Sequence, residues 1–278
     1  MMRGDDRWAV AVRTPRGDIE VMTAALPSFG RRWAKVPFVR GLLALAQAMP
    51  LGAKALKWSA VHGLGRPERR PTPIDRALRG GTVVAVLAAV LLLPPYGADW
   101  LVGGLHNGLV AAVVENLLAV GMLLAYAAAT GRLSLVRRLF QNHGAEHKVV
   151  AADESGLPLT PEGASVFSTR HVRCGTSLVL VIVVVAAALS MLHLPGVVAL
   201  PLIAAVSAEL QLRASANTHR RWVRVLVRPG LALQRVTTRQ PTLAQLEVAI
   251  VALRAAYGEL ETTSATQPSS SALVAVPA

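Results

Sequence analysis

The sequence predicts an all-α polytopic membrane protein: about four transmembrane helices, a further interfacial or re-entrant helix, and a small N-terminal β-hairpin. Three observations carry that expectation. The 278-residue chain is 53% hydrophobic and only 16% charged, whereas soluble domains average roughly a quarter charged residues. The apolar residues gather in blocks close to the ~20 residues that a helix needs to cross a bilayer. The basic residues, 29 Lys and Arg against 16 Asp and Glu for a formal net charge of +13, lie almost entirely outside those blocks.

The elements follow in order. Residues 1–35 form a cytoplasmic hairpin region, with β-type runs at 8–12 and 18–22 around the turn sequence Thr14-Pro15-Arg16-Gly17. These residues are polar and lack the apolar core of a cleavable signal peptide. Residues 36–80 hold an amphipathic membrane-associated helix, with Arg40, Lys54, Lys57 and Trp58 among apolar neighbours, and then a basic Pro/Gly linker. Pro50 and Gly52 argue against one straight span there. Residues 81–130 contain the first two transmembrane helices, at 82–105 and 109–130, the second carrying Glu115.

Residues 131–175 are a cytoplasmic segment bearing the motifs. A basic helix leaves the second span and continues through 143–152, although Gly144 costs it about 1 kcal/mol against alanine. Thr160-Pro161-Glu162 supplies an N-cap followed by proline, the start of a short helix. Residues 176–212 contain the last two spans, at 176–193 and 197–212, the latter with Glu209. Residues 213–261 form a cytoplasmic C-terminal region whose helix begins after the capping residue Thr242, and 262–278 read as a disordered tail rich in Ser, Thr, Ala and Gln.

Orientation follows from charge. Lys and Arg crowd the region before residue 81, the central segment and the region after 213, but the links near 106 and 195 have none. Basic loops stay cytoplasmic, so both termini and the motif segment are expected there, in a multi-pass protein of the bacterial inner membrane. Because the basic residues flank spans, the partner they imply is the anionic lipid bilayer and not nucleic acid. Cys174 is the only cysteine, so no intrachain disulfide forms, consistent with a reducing compartment.

The chemistry concentrates in two polar clusters, His143-Gly144-Ala145-Glu146-His147 and His171-Val172-Arg173-Cys174-Gly175. On a helix His143 and His147 share a face and can bind one divalent metal, with zinc suited to imidazole and thiolate. Glu146 stands next to them as the base for an activated water, in the order of the inverted metallopeptidase signature. His171, Cys174, Glu154 and Glu209 compete for the third ligand position. Arg173 and Lys148 are the anion-binding candidates, for substrate or lipid phosphate. Glu115 and Glu209 are candidate intramembrane polar groups, since ionisable side chains within a span are costly and often functional. The structural alternative is a hydrogen-bonded polar network in which Glu146 pairs with Lys148 or Arg173 and His143 caps a helix.

The ordered motifs FQNHGAEHKVV, STRHVRCGTSL, SAELQ and RPGLALQRVTTRQPTLAQLEVAI closely resemble the bacterial family called domain of unknown function 1385 (YqhQ-like membrane proteins). The resemblance spans nearly the whole chain, to about residue 255. It implies a membrane topology and, because members are often labelled predicted metal-dependent enzymes, a metal site. Family members place a Gly-Gly-Gln-Ala-containing stretch ahead of the Met-Met-Arg-Gly that here forms residues 1–4.

Together these readings predict a metal-dependent, hydrolase-like enzyme with its site at the cytoplasmic membrane surface, acting on a membrane-surface substrate such as a lipid or a membrane-protein segment. One rival is a non-enzymatic scaffold or assembly factor that docks a protein partner through the hairpin and terminal helix. The other is an ion transporter with Glu115 and Glu209 on its path, which needs a homo-oligomer because four spans make a small pore.

Overall fold

The computed structural model describes residues 1–27, 33, 35–63, 72, 81, 108–190, 192, 194–260 and 272–276. The N-terminal strands are β1 (Met2–Arg3), β2 (Arg7–Arg13) and β3 (Ile19–Ala25), joined antiparallel in the order β1-β2-β3. The turn between β2 and β3 closes through Gly17 N–H donating to Thr14 O at 3.0 Å, with Gly17 at φ 101°, a left-handed backbone that a side chain disfavours. Register pairs Val10 with Met22 and Ala11 with Val21. Because side chains alternate across a strand, the two faces bury different sets. Trp8, Val10 and Met22 pack with Leu51 and Ala55, while Ala9, Ile19 and Val21 enter the main core.

The helices are α1 (Val39–Gly63), α2 (Gly108–Thr130), α3 (Ser134–Glu154), α4 (Pro161–Ser165), α5 (Gly175–Ser190), α6 (Gly196–Ala216), α7 (Arg221–Thr237) and α8 (Leu243–Tyr257). Helix α1 is continuous through Pro50 and supplies Leu51 and Ala55 to the sheet, while also packing on α6. The main core lies where α3 (Ala145, Val149, Ala152) and α8 (Leu246, Ile250, Leu253) meet the second sheet face. Helix α8 is anchored at its start by a capping box, Thr242 with Gln245, which satisfies backbone donors that a helix N-terminus leaves open.

The predicted fold class needs correcting. Among the described residues one helix, α6, is long and apolar enough to cross a membrane, where about four were expected. The block at 82–105 lies outside the described residues. Helix α2 spans 23 residues, but several of its side chains before Val120 lie outside the described residues, and the apolar stretch among the described ones is Val120–Thr130. The block at 176–193 becomes the 16-residue α5. At 1.5 Å per residue α5 is about 24 Å long, short of the ~30 Å hydrocarbon layer. The physical reason is that an apolar run sets composition, whereas helix ends are set locally. Helix α5 starts at Gly175 and ends at Ser190, ahead of the Leu194-Pro195 link. The fold is therefore helical with a small antiparallel sheet, not all-α. A fourth strand, β4 (Ala272–Val276), pairs antiparallel with β3 inside the tail expected to be disordered.

Candidate metal centre

Helix α3 brings the first motif under the exit of α7. A Cβ at position 144 would lie 2.2 Å from the Arg239 carbonyl oxygen, so only glycine lets the chain cross the helix there. The crossing is tied by Arg239 N–H donating to Phe140 O at 3.0 Å and Gln141 Nε2 to Gln240 O at 3.2 Å. It delivers the Thr237 carbonyl to His143, whose Nδ1 lies 3.0 Å away. His147, one turn further along, is buried and sets its Nδ1 2.6 Å from the Thr169 carbonyl. A carbonyl only accepts, so each Nδ1 carries a proton, and each Nε2 is left for the cluster, as a second N–H donor when the ring is protonated and as a lone pair when it is neutral.

The Nε2 side of the pair faces the buried Cys174, which the turn closed by Cys174 N–H to His171 O places at the start of α5. His143 Nε2 is 3.3 Å from Cys174 Sγ, and the two imidazole centroids are 4.5 Å apart. Thr176 donates its backbone N–H to the sulfur at 3.4 Å. Burial pushes the thiol up, but hydrogen bonds from His143 and His147 and the charge of His143 outweigh it and hold Cys174 at about 5. His143 is raised for the reciprocal reason: burial lowers it, and the bonded thiolate more than compensates.

One ligand atom from each of His143, His147 and Cys174 lies within 4.8 Å of the others. A tetrahedral site with Zn–N of about 2.0 Å and Zn–S of about 2.3 Å has edges of roughly 3.5 Å, so small side-chain closure completes it. The backbone carbonyls behind both imidazoles match the outer partners that fix ring orientation in metal sites. Three protein donors with one position open is a catalytic zinc pattern.

The other predicted site residues stand elsewhere. His171 turns to Glu154, with Nε2 3.1 Å from Oε2, and its ring centroid is 6.0 Å from that of His147. Arg173 pairs with the same Glu154 at 2.7 Å and is mostly exposed. Lys148 is buried, its ammonium donating to the Ser165 carbonyl at 2.6 Å and to that of Phe167. It therefore ties α3 to the end of α4 and offers no open anion contact. Glu146 is ion-paired with the Met1 N-terminal ammonium, although its charge still reaches His143. Glu209 is away from the cluster: Arg40 grips it at 2.9 and 2.8 Å, Arg213 at 2.7 Å, and Phe38 N–H donates at 3.1 Å. The Glu115 side chain lies outside the described residues.

Gln234, which sequence reading passed over, is fully buried and organises the second motif. It accepts from His171 N–H at 2.9 Å and donates to His171 O and to Ser177 Oγ at 2.8 Å each. Its one signal was a lone amide among apolar and basic residues on an amphipathic helix.

Comparison with known proteins agrees with the motif reading. The family model described as protein of unknown function (DUF1385) matches residues 36–259. An uncharacterized Bacillus subtilis (strain 168) protein, YqhQ, is 30% identical over 241 residues, covering 78% of this chain and 75% of the relative. No solved structure matches.

Proposed function

The chain belongs to the DUF1385 family of proteins of unknown function, and from that footing we propose a membrane-anchored, metal-dependent hydrolase centred on His143, His147 and Cys174. The observation that carries the reading is the convergence of one thiol and two oriented imidazoles within 4.8 Å. A bound zinc ion would supply Lewis-acid polarisation of a substrate oxygen and activation of water. The protein's own contribution is to hold the two rings by the Thr237 and Thr169 carbonyls and to keep Cys174 ionised. Glu146, next to His147 on the same helix and ion-paired with the Met1 ammonium, is the proton acceptor in this reading, and Arg173, within the second motif and paired with Glu154, is the exposed cation.

Anchoring is assigned to α6, the apolar 21-residue helix, whose C-terminal turn carries Arg213 and leads into the basic α7. The positive-inside bias puts that end, with the metal centre, on the cytoplasmic side of the inner membrane.

Elemental analysis of detergent-purified protein tests the reading. Wild type is expected to hold near-stoichiometric zinc, and His143→Ala/His147→Ala none while remaining folded. Glu146→Gln should keep the metal and lose turnover of ester or phosphoester substrates. Metal-free wild type after anaerobic purification and zinc loading would overturn the proposal, and would leave the low-pKa Cys174 beside His143 as a thiolate nucleophile.

A further inference from the structure

We infer that the apolar cavity between α2, α5 and α7 holds an acyl chain, and that the substrate of the proposed centre is a membrane lipid whose polar group is presented to Cys174 and the two histidines. The second half of this inference rests on the metal-centre reading; the acyl-chain cavity stands without it.

The cavity, partly open to the surface, has a volume of about 330 Å³, within the range of small-molecule sites. Leu124 and Ala127 of α2, Val179 of α5 and Leu233 of α7 line it, and no charged residue does. Its polar side chains are Thr176 and Thr237, whose hydroxyls lie 3.4 Å apart and can bond each other. A sugar, nucleotide or peptide would bury polar groups here without partners. A hydrocarbon chain asks for none.

The two threonines also fix which end of the chain meets the chemistry. Thr176 N–H donates to Cys174 Sγ, and the Thr237 carbonyl accepts from His143 Nδ1. The polar end of the cavity is therefore built from the residues that hold the metal donors, and the apolar remainder runs away between the helices. Such a division fits a molecule with a polar reactive group on an aliphatic tail.

The surroundings name the source. The helices that line the cavity also present Leu117, Tyr126 and Val184 outward, and α7 exposes Trp222, Val225 and Leu226 beside the exposed Arg221, Arg224 and Arg228. Apolar and aromatic residues next to arginines on one amphipathic helix suit the headgroup boundary of an anionic bilayer. A tail can enter the cavity from the bilayer without crossing water.

Photo-crosslinking tests this. Zinc-loaded protein in phosphatidylglycerol/phosphatidylethanolamine vesicles is irradiated with a phospholipid carrying a diazirine on its acyl chain, and adducts are mapped by mass spectrometry. The expected adducts fall on Leu124, Val179 and Leu233, and drop at least tenfold in Val179→Trp, which fills the cavity. Ala127→Phe serves as a second filling variant, and zinc content with circular dichroism confirms that each is folded. Adducts only on the outward Leu117 and Val184, or unchanged labelling in both folded variants, would overturn the inference; labelling by a diazirine fatty acid but not by the phospholipid would keep the acyl site and overturn the membrane-lipid substrate. Cavity labelling without bound zinc would remove the metal-centre reading but leave the acyl site, and stoichiometric zinc without cavity labelling would do the reverse.

Discussion

Cys174 sits at about 5 because two imidazoles reach its sulfur, and its properties can be read without interference because it is the chain's single cysteine. In metal-free protein, ultraviolet thiolate absorbance should titrate near pH 5. His143→Ala should move that midpoint up toward the ordinary thiol value, since the closer donor is gone; an unmoved midpoint would break the assigned pairing. The sign for stability follows from linkage. The folded thiol is more acidic than the free one, so its contribution is complete above the free-thiol value of 9.0 and is lost as pH falls through about 5. Lys148 makes the opposite lesson about reading residues. Its position beside His147 suggested an anion contact, but burial lowers its pKa and its ammonium is spent on two carbonyls. Lys148→Met should cost about 1–3 kcal/mol in denaturant unfolding, because the Ser165 and Phe167 carbonyls lose their donor. Residue type and spacing made His143 and His147 legible. They could not separate His171 from Cys174, because that choice depends on Glu154 and Gln234 drawing His171 aside.

At the scale of elements, Gly144 is the position where helix propensity and tertiary packing disagree. An alanine in a helix interior is ordinarily favoured over glycine by about 1 kcal/mol. Here the added Cβ would sit 2.2 Å from the Arg239 carbonyl. Gly144→Ala should therefore destabilise by on the order of 1–3 kcal/mol and reduce metal content, because the displaced strand-like exit of α7 carries the Thr237 carbonyl that orients His143. A thermal melt with a raised Tm would contradict this. The capped start of α8 at Thr242 and the proline-led α4 after Thr160 could both be read from sequence, since caps are local chemistry. The crossing of 238–241 over α3 could not, because nothing in the sequence around 144 identifies which distant segment requires the glycine.

For the whole molecule, composition located the apolar mass, but block length overstated the number of spanning helices, as α5 illustrates. The account places membrane anchoring on α6, so the protein should stay in the membrane pellet after an alkaline carbonate wash. Leu200→Arg/Leu202→Arg, on the apolar α6, should shift it into the supernatant; equal distribution of variant and wild type would locate the anchor elsewhere. The N-terminal sheet and α8 share one core with α3, so the helix that carries His143 and His147 is braced by a folded body.

Zinc K-edge X-ray absorption on the purified, zinc-replete protein tests the central claim most directly. The account predicts one sulfur at about 2.3 Å and two imidazole nitrogens at about 2.0–2.1 Å, with the sulfur shell lost in Cys174→Ser and the imidazole scattering reduced in His147→Ala. A first shell of oxygens alone, unchanged in both variants, would contradict it.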